Sequence, residues 1–562
     1  MDNYQIAEIF SLLSKLTDIH GENNFKAKSY AIAAFNIEKI PQQLSEIPHE
    51  KIAQIKGIGE SSAKKIIEIL ETGSLKALQE LIEKTPIGVI EMLNIKGIGP
   101  KKISTIWKEM EIESIGELLY ACKENRLKLY KGFGEKTQQN VIDTIEFYLS
   151  NQGSNLYPQV EAVEPQITPY LQKLFGAGNV YLTGTFKRQL EIIDELEYVI
   201  KSAVEDIKPK FLTANPPELL EENADSLLYK LLNGLKLRLY SAPETFEKKC
   251  FFTAGSPEFV NEFIFRYPNI EFSGASVSDD SAVFKEACIS YIPYCARETP
   301  EIIERAAAGP LPGLIQPADI KGIIHSHSNW SDGSNTLEEM AKAAQEQGFE
   351  YLVISDHSKS AFYAQGLTEE RIQAQHEQVD ALNRKLKGFK IFKSIESDIL
   401  YDGSLDYSNT VLATFDLVIA SVHSILKMTE EKAMQRLITA IENPYTTILG
   451  HMTGRLLLSR KGYPVGHKKI IDACAANNVV IELNAHPSRL DIDWRHINYA
   501  LEKNVLISID PDAHFIEGFK DTRYGVLAAQ KAMVTKEQNL SSMGLVEFEN
   551  YIQKMKALKR IA

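Results

Sequence analysis

The sequence predicts a multidomain chain. It reads as an all-α N-terminal region, an α+β middle and a C-terminal α/β domain whose parallel strands close into a distorted seven-stranded β/α barrel. Three observations predict this order. The 562 residues are too many for one core, so roughly two to four domains are expected. A Gly-x-Gly phrase recurs at helix starts near the N-terminus. Finally, ten of the twelve histidines lie between His325 and His514, where seven apolar, β-rich segments alternate with helical ones.

Composition narrows the class. The chain is 44% hydrophobic and 24% charged, ordinary for a globular protein. No apolar run is as long as a membrane span. Met1-Asp2-Asn3-Tyr4-Gln5 lacks the basic-then-apolar pattern of a signal peptide. Cys122, Cys250, Cys288, Cys295 and Cys474 are scattered, with no Cys-x-x-Cys, which fits reduced thiols in a cytosol. A net charge of −13 excludes a uniformly basic surface but leaves room for local basic loops.

Residues 1–85 and 86–152 read as two helical pieces. Ile6, Ile9, Phe10, Leu12 and Leu13 fall at helical spacing. Ile55-Lys56-Gly57-Ile58-Gly59 precedes a helical run over 61–71. Ile95-Lys96-Gly97-Ile98-Gly99-Pro100-Lys101-Lys102 precedes another over 103–110. A weaker third copy is Lys131-Gly132-Phe133-Gly134-Glu135-Lys136. Copies stand about 40 residues apart, a repeat signal. Such glycines let the backbone approach a phosphate, which helix N-terminal N–H groups then hold. A Gly-rich turn between packed helices is the other reading, and repetition weakens it. The phrase resembles the helix-hairpin-helix motif, which grips the DNA backbone without reading bases. That resemblance assigns DNA contact to Lys56, Gly57, Gly59, Lys65, Lys96, Gly97, Gly99, Lys101, Lys102, Gly132 and Gly134. The stretch from Glu22 through Tyr30, then Ala33-Ala34, resembles the opening helices of the lyase domain of family X DNA polymerases. The resemblance puts Lys65 at the family's Schiff-base position, with Lys64 beside it and Ser61 where the family has a phosphate-binding lysine. An exposed helix lysine is the alternative for Lys65.

Residues 153–300 read as α+β. Val180-Tyr181-Leu182 and Leu196-Glu197-Tyr198-Val199-Ile200 are strand-like, separated by Gly184-Thr185-Phe186-Lys187-Arg188. This resembles the nucleotidyltransferase-like palm and thumb of the same polymerases. There, a serine turn precedes two aspartates one residue apart, and a third acid completes the magnesium site. By that resemblance Thr185 replaces the serine, and Gln189 replaces the glycine after Arg188. Glu195 and Glu197 replace the aspartate pair, and Lys236 replaces the third acid. Glutamate is one methylene longer than aspartate, Mg²⁺ demands near-ideal octahedral geometry, and a lysine puts a cation where a cation must bind. The expected result is a palm without polymerase activity. The plain alternative is that both glutamates are solvated residues flanking a strand.

Residues 318–562 carry the densest signal. Gly322-Ile323-Ile324 leads into His325, His327 and Asp332. Tyr351–Ile354 leads into Asp356 and His357, and Lys390-Ile391-Phe392-Lys393 into Glu396 and Asp398. Leu417-Val418-Ile419-Ala420 leads into His423, and Thr447-Ile448-Leu449 into His451. Val479-Val480-Ile481-Glu482 leads into Asn484, and Val505–Ile509 into Asp512 and His514. Alternating strands and helices imply a parallel sheet, and barrel sites sit at strand C-terminal ends. In extended backbone His325 and His327 point the same way. A single histidine is by default a hydrogen-bonded core residue; so many at strand ends are not. The series resembles the PHP (polymerase and histidinol phosphatase) domain. The resemblance implies three divalent ions, Zn²⁺ and/or Mn²⁺. His325, His327, Glu396 and Asp512 would hold one, and Glu396 would bridge to a second with His423 and His451. Asp332, His357 and His514 would hold the third. Mixed nitrogen and oxygen donors suit such ions better than Ca²⁺, and the cluster would activate hydroxide for phosphate-ester hydrolysis. Arg455 is read as a phosphate clamp or a structural ion pair. His376, His467, His486 and His496 match no ligand position.

The whole order resembles bacterial family X DNA polymerase fused to PHP. It implies a monomeric DNA-repair phosphoesterase of the cytoplasm and nucleoid. Its expected substrates are gapped, nicked or abasic DNA, cut by 3′-5′ exonuclease and abasic-site endonuclease action. A histidinol-phosphatase-like enzyme, an active gap-filling polymerase and a non-enzymatic DNA scaffold are the other readings.

Overall fold

The computed structural model describes residues 3–21, 23–40, 42–95, 97–150, 153–211, 216–272 and 279–559. The chain divides into two compact units, Met1–Glu146 and Phe147–Ala562. The second thus holds both the expected 153–300 and 318–562 pieces. No helix among the described residues is long and apolar enough to cross a membrane.

The first unit is all α. Its three Gly-x-Gly phrases take one shape. Gly57, Gly97 and Gly132 have φ of 91°, 96° and 95°, left-handed backbone that glycine adopts without Cβ strain. The next residue of each, Ile58, Ile98 or Phe133, is buried as an anchor. Its N–H closes a tight turn onto Ile55, Ile95 or Tyr130. Helices Glu60–Thr72, Pro100–Lys108 and Glu135–Ser150 then start directly after Gly59, Gly99 and Gly134.

Among its described residues the second unit contains two large sheets and a small antiparallel pair, Asn155–Leu156 with Ile192–Ile193. The first has five strands: β1 (Val180–Thr183), β2 (Glu195–Ile200), β3 (Glu218–Asn223), β4 (Ser226–Lys230) and β5 (Lys236–Ser241). Their order is β1-β2-β5-β4-β3, with β2 and β5 parallel. Gly184 (φ 71°) opens the turn after β1, and a Cβ there would overlap the Glu197 carboxylate.

The second sheet is the nearly closed barrel. Its strands are β6 (Gly322–Ser326), β7 (Tyr351–Ile354), β8 (Lys390–Asp398), β9 (Leu417–Ser421), β10 (Ile448–Leu449), β11 (Val480–Asn484) and β12 (Ile507–Asp510), in sequence order and all parallel. Strands buried on both faces read as near-continuous apolar runs, as Tyr351–Ile354 and 417–420 do. Four of the helices between them start at capping side chains, Thr336, Thr368, Thr429 and Asp493, each satisfying a first-turn N–H. Helix Leu545–Leu558 joins the barrel core through Phe548, which stacks on Tyr351 at 4.4 Å. Truncating Phe548 to alanine should cost about 3–5 kcal/mol.

Buried ion pairs weld the two sheets' surroundings together. Lys531 Nζ donates to Glu298 Oε1 (2.9 Å) and to the Arg188 carbonyl (2.8 Å), while Arg188 Nε donates to the same Glu298 oxygen (3.1 Å). Glu191 accepts from Trp494 and Arg495.

Candidate metal centre

The strand ends converge as the sequence pattern requires, but the first strand does it differently. Extended backbone would aim His325 and His327 together. Instead His325 is left-handed, φ 58°, and β6 shifts register against β7 between Ile323 and Ser326. The shift has a cause. The His325 carbonyl accepts from Ala513 N (3.2 Å), and His327 N donates to the Ala513 carbonyl (2.8 Å). The first strand therefore zips to the segment after β12, where Asp512 is itself left-handed at φ 53°. Strain of this kind persists where surrounding bonds over-determine it, and it clusters at functional sites.

Glu396 is the hub. Its Oε1 lies 3.0 Å from Nε2 of both His423 and His451 and 3.3 Å from His325 Nε2. Its Oε2 lies 3.0 Å from His357 Nδ1. Asp512 Oδ1 is 3.1 Å from His327 Nε2 and 3.4 Å from His325 Nε2. Asp332 is 3.5 Å from Nε2 of both His357 and His514. Among the described residues of the second unit, three groups of donor atoms each fall within 4.8 Å: His325, His327 and Asp512; His327, Asp332, His357 and His514; His357, Glu396 and His423. The grouping shares His327 and His357 between neighbouring sets, where the family pattern divides them.

These residues fit cations. Buried polar groups are ordinarily hydrogen-bonded. Yet His325 Nε2, His327 Nδ1, Asp332 Oδ2, Glu396 Oε2 and His451 Nδ1 have no hydrogen-bond partner. Electrostatics agree. Burial disfavours charge on His325, but the carboxylates of Glu482, Asp512 and Glu396 outweigh it and raise its pKa well above the usual value. Burial and the imidazoles of His514 and His357 push His327 down to about 4. Burial would raise Asp332, yet His357 and His514 hold it well below the usual carboxylate range. His327 and the carboxylates thus stand deprotonated, as a divalent transition metal requires, while the carboxylates around His325 favour a proton there that a bound cation would displace.

A surrounding layer orients them, and sequence reasoning gave part of it no role. Glu482 Oε2 lies 2.5 Å from His325 Nδ1, while its Oε1 accepts from His451 N and Asn484 Nδ2 at 3.0 Å each. Asn484 Nδ2 also donates to Asp512 Oδ2 (3.1 Å). The signal was present: Glu482 is a carboxylate inside an otherwise apolar, fully buried strand. Asp398 bonds His423 Nδ1. Asp356 accepts from Ser328 N, Ser328 Oγ, Ser331 Oγ and Gln375 Nε2, clamping the loop that presents Asp332. Such partners fix the imidazole tautomer and ring angle.

The remaining expected site residues fall elsewhere. Arg455 takes its ion-pair alternative: Nη1 donates to Asp493 Oδ2 (2.5 Å), Nε to the Arg489 carbonyl (3.0 Å) and Nη2 to the Leu490 carbonyl. His376 packs edge-on against Phe415, and His467 stacks on His496. In the five-stranded sheet Glu195 pairs in register with Lys236 and Glu197 with Arg238. Arg238 clasps both Glu195 oxygens. Glu197 accepts from Thr185 N (2.9 Å) and Tyr240 Oη (3.0 Å). In the first unit Lys65 Nζ sits 5.6 Å above the Tyr30 ring, so its stem is half-buried rather than free. Lys102 Nζ donates to the Gly97 carbonyl (3.3 Å) and lies over Phe133. Lys56 and Lys101 are exposed beside their turns, and Lys96 lies outside the described residues.

Comparison with known proteins follows the same division. Residues 1–75 match the helix-hairpin-helix domain model and 89–146 the SAM-like helix-hairpin-helix tandem, while 324–486 match the PHP domain. The chain is 28% identical to the "DNA polymerase/3'-5' exonuclease PolX" of Bacillus subtilis (strain 168) over 99% of its own length and 100% of the relative's. It is 30% identical to a "probable phosphatase" of Acetivibrio thermocellus over 29% of this chain and 64% of that protein. A second probable phosphatase, from Caldicellulosiruptor saccharolyticus, is 28% identical over 32% of this chain and 74% of that protein. Barrel, hairpins and end-to-end similarity agree: the chain carries helix-hairpin-helix domains at its N-terminus and a PHP domain at its C-terminus, and it is similar over its whole length to a PolX-type DNA polymerase/3'-5' exonuclease.

Proposed function

We propose that this chain is a DNA-repair phosphodiesterase that shortens gapped or damaged DNA from its 3′ end, with abasic-site cleavage as a second outcome of the same centre. The carrying observation is the barrel centre itself: buried imidazoles and carboxylates at the strand ends, several of their atoms without a hydrogen bond among the described residues. The Bacillus subtilis relative, a DNA polymerase/3'-5' exonuclease matched along its whole length, supports DNA as substrate, as do the three like-shaped hairpin turns. His325, His327, Asp332, His357, Glu396, His423, His451, Asp512 and His514 would hold three divalent ions, Zn²⁺ and/or Mn²⁺. When bound, such ions supply Lewis-acid charge at the scissile phosphate and make a nearby water acidic enough to attack. The chain's own residues do the positioning. Glu482 and Asp398 fix His325 and His423, and Asp356 holds the loop bearing Asp332. Arg455, Asp493 and the 489–490 backbone brace the mouth. The hairpins hold backbone phosphates without reading sequence.

The palm does not polymerise in this reading. Arg238 neutralises Glu195, and Lys236 replaces an acid.

Labelled gapped DNA with Mn²⁺, with and without nucleotides, tests both parts. Wild type and Glu195→Ala should shorten the DNA equally, while His325→Ala should not. Nucleotide-dependent extension would overturn the palm reading. One observation favours a second reading, the similarity of the barrel to probable phosphatases. Turnover of a phosphate monoester with no DNA cleavage would establish it instead.

A further inference from the structure

Around the barrel mouth, four large apolar side chains stand in solvent. Phe362 is 79% exposed, Tyr401 58%, Ile425 45% and Leu458 43%. They occupy four consecutive loops, those following β7, β8, β9 and β10, which are also the loops entered through His357, Asp398, His423 and His451. The loops are tied to one another. Lys359 N donates to Tyr407 Oη (3.0 Å) and Ser360 N to Asp406 Oδ2 (2.6 Å), joining the first to the second. The buried Arg436 guanidinium donates to the carbonyls of Ile399, Leu400, Ser424 and Ile425, joining the second to the third. A Cβ on Gly454 would lie 3.6 Å from Leu426 Cδ2, so the third touches the fourth. The four groups therefore ride on one braced rim.

Two of them also hold unfavourable backbone. Ile425 has φ 55° and Leu458 φ 60°, a region that bulky side chains, and β-branched ones above all, rarely enter. Exposure and strain both work against stability, so neither side chain is placed there for the sake of the fold. Cations accompany each apolar group. Lys432 Nζ lies 3.7 Å over the Tyr401 ring. Exposed Lys359, Lys427 and Lys461 stand two or three positions from Phe362, Ile425 and Leu458. Lys359 also pairs with Glu369 at 2.7 Å, an exposed contact that water screens. In a chain of net charge −13, all four apolar groups of the rim thus have a cation close by. It is what unpaired nucleic acid presents in reverse, a stackable base and a phosphate at every step.

Building on the phosphodiesterase reading, we infer that this rim is a stacking collar for unpaired bases. The bases next to the cleaved end rest on Phe362, Tyr401, Ile425 and Leu458 while the terminal phosphodiester reaches the centre.

The test uses the full chain with Mn²⁺ and three substrates: a single-stranded oligonucleotide, the same oligonucleotide with tetrahydrofuran abasic residues at its 3′ end, and bis(p-nitrophenyl) phosphate. Phe362→Ala and Tyr401→Ala should each raise KM for the base-bearing end roughly 5- to 100-fold. Losses on the abasic end and the small diester should be several times smaller. Replacing Ile425 and Leu458 together by glycine should raise Tm, through relief of strain, yet still weaken the base-bearing substrate. Equal losses on all three substrates, or wild-type KM in every variant, would overturn the collar. If wild type cleaves the small diester but no oligonucleotide, the phosphodiesterase reading falls. Fluorescence anisotropy with the same two oligonucleotides then decides the collar alone, and equal affinity for base-bearing and abasic ends rejects it.

Discussion

The five-stranded sheet and the barrel hold the same carboxylates in opposite company. In the sheet, Glu195 is clasped by Arg238 at side-chain exposures of 23% and 15%, and Glu197 is met by a backbone N–H and a tyrosine hydroxyl. In the barrel, Glu396, Asp512 and Asp332 face imidazoles, and among the described residues Glu396 Oε2 and Asp332 Oδ2 are buried with no hydrogen-bond donor. A carboxylate already neutralised by a guanidinium has little to offer a metal ion. Buried anions and neutral imidazoles packed together are costly without one. The partners of an acid, more than the acid, thus mark where a cation belongs.

The largest expected effect breaks the barrel side of this contrast. Glu396→Ala removes the hub shared by His325, His357, His423 and His451. DNA hydrolysis should fall by roughly a thousandfold or more, and bound metal measured by mass spectrometry should drop with it. Chelation of wild type should lower Tm, because a ligand bound only by the native state stabilises it. Retained hydrolysis in Glu396→Ala would remove the centre from the mechanism.

Glu482→Gln comes next. It keeps the volume but offers His325 an amide in place of a carboxylate. Metal affinity or hydrolysis should fall about 10- to 100-fold, with the fold intact by circular dichroism. A variant indistinguishable from wild type would show that the 2.5 Å pairing is packing alone.

On the sheet side the effect is on stability. Arg238→Ala leaves Glu195 half-shielded and unpaired, which should cost about 1–2 kcal/mol in a urea melt. Hydrolysis should stay near wild type. Adding Glu195→Ala to it should recover part of the loss, as removal of both partners does. If Arg238→Ala instead leaves stability unchanged and gains Mn²⁺ affinity, the sheet's acids are a masked metal site and the contrast fails.

Much of this was legible in the sequence because it is local. Each barrel strand is a short apolar run ending in His, Asp or Glu, and each hairpin is a Gly-x-Gly before a helix. Even the register of Lys236 against Glu195 follows from counting along two strands. What was hidden is non-local. The left-handed His325 arises from hydrogen bonds to Ala513, far along the chain, so no alternation rule could give it. Arg455 had two equal readings until Asp493 stood beside it. The weld of Arg188, Glu298 and Lys531 joins segments that propensity and spacing treat as separate domains. Glu482 was visible as an oddity, yet its target was not.

The smallest effect separates a packing histidine from those in the centre. His376 lies half-buried, edge-on to Phe415 at 4.9 Å. Burial, helped by the Lys393 cation, pushes its pKa down to about 4, against an unfolded value of about 6.5. Between those values the unfolded chain holds more protons than the native one, so native stability rises with pH across the window. This contribution is complete above the unfolded pKa and is lost as pH falls towards 4. After allowance for its exposure, it should amount to about 1–2 kcal/mol. The measurement is the difference in urea midpoint between wild type and His376→Leu at about pH 7 and about pH 5. The leucine variant should lose less stability on acidification. Repeating the pair after chelation gives the comparison its edge. A packing histidine keeps its slope whether or not metal is bound, whereas any slope that vanishes with the metal belongs to the centre. If the His376 difference vanished on chelation, His376 would be coupled to the centre despite standing outside it.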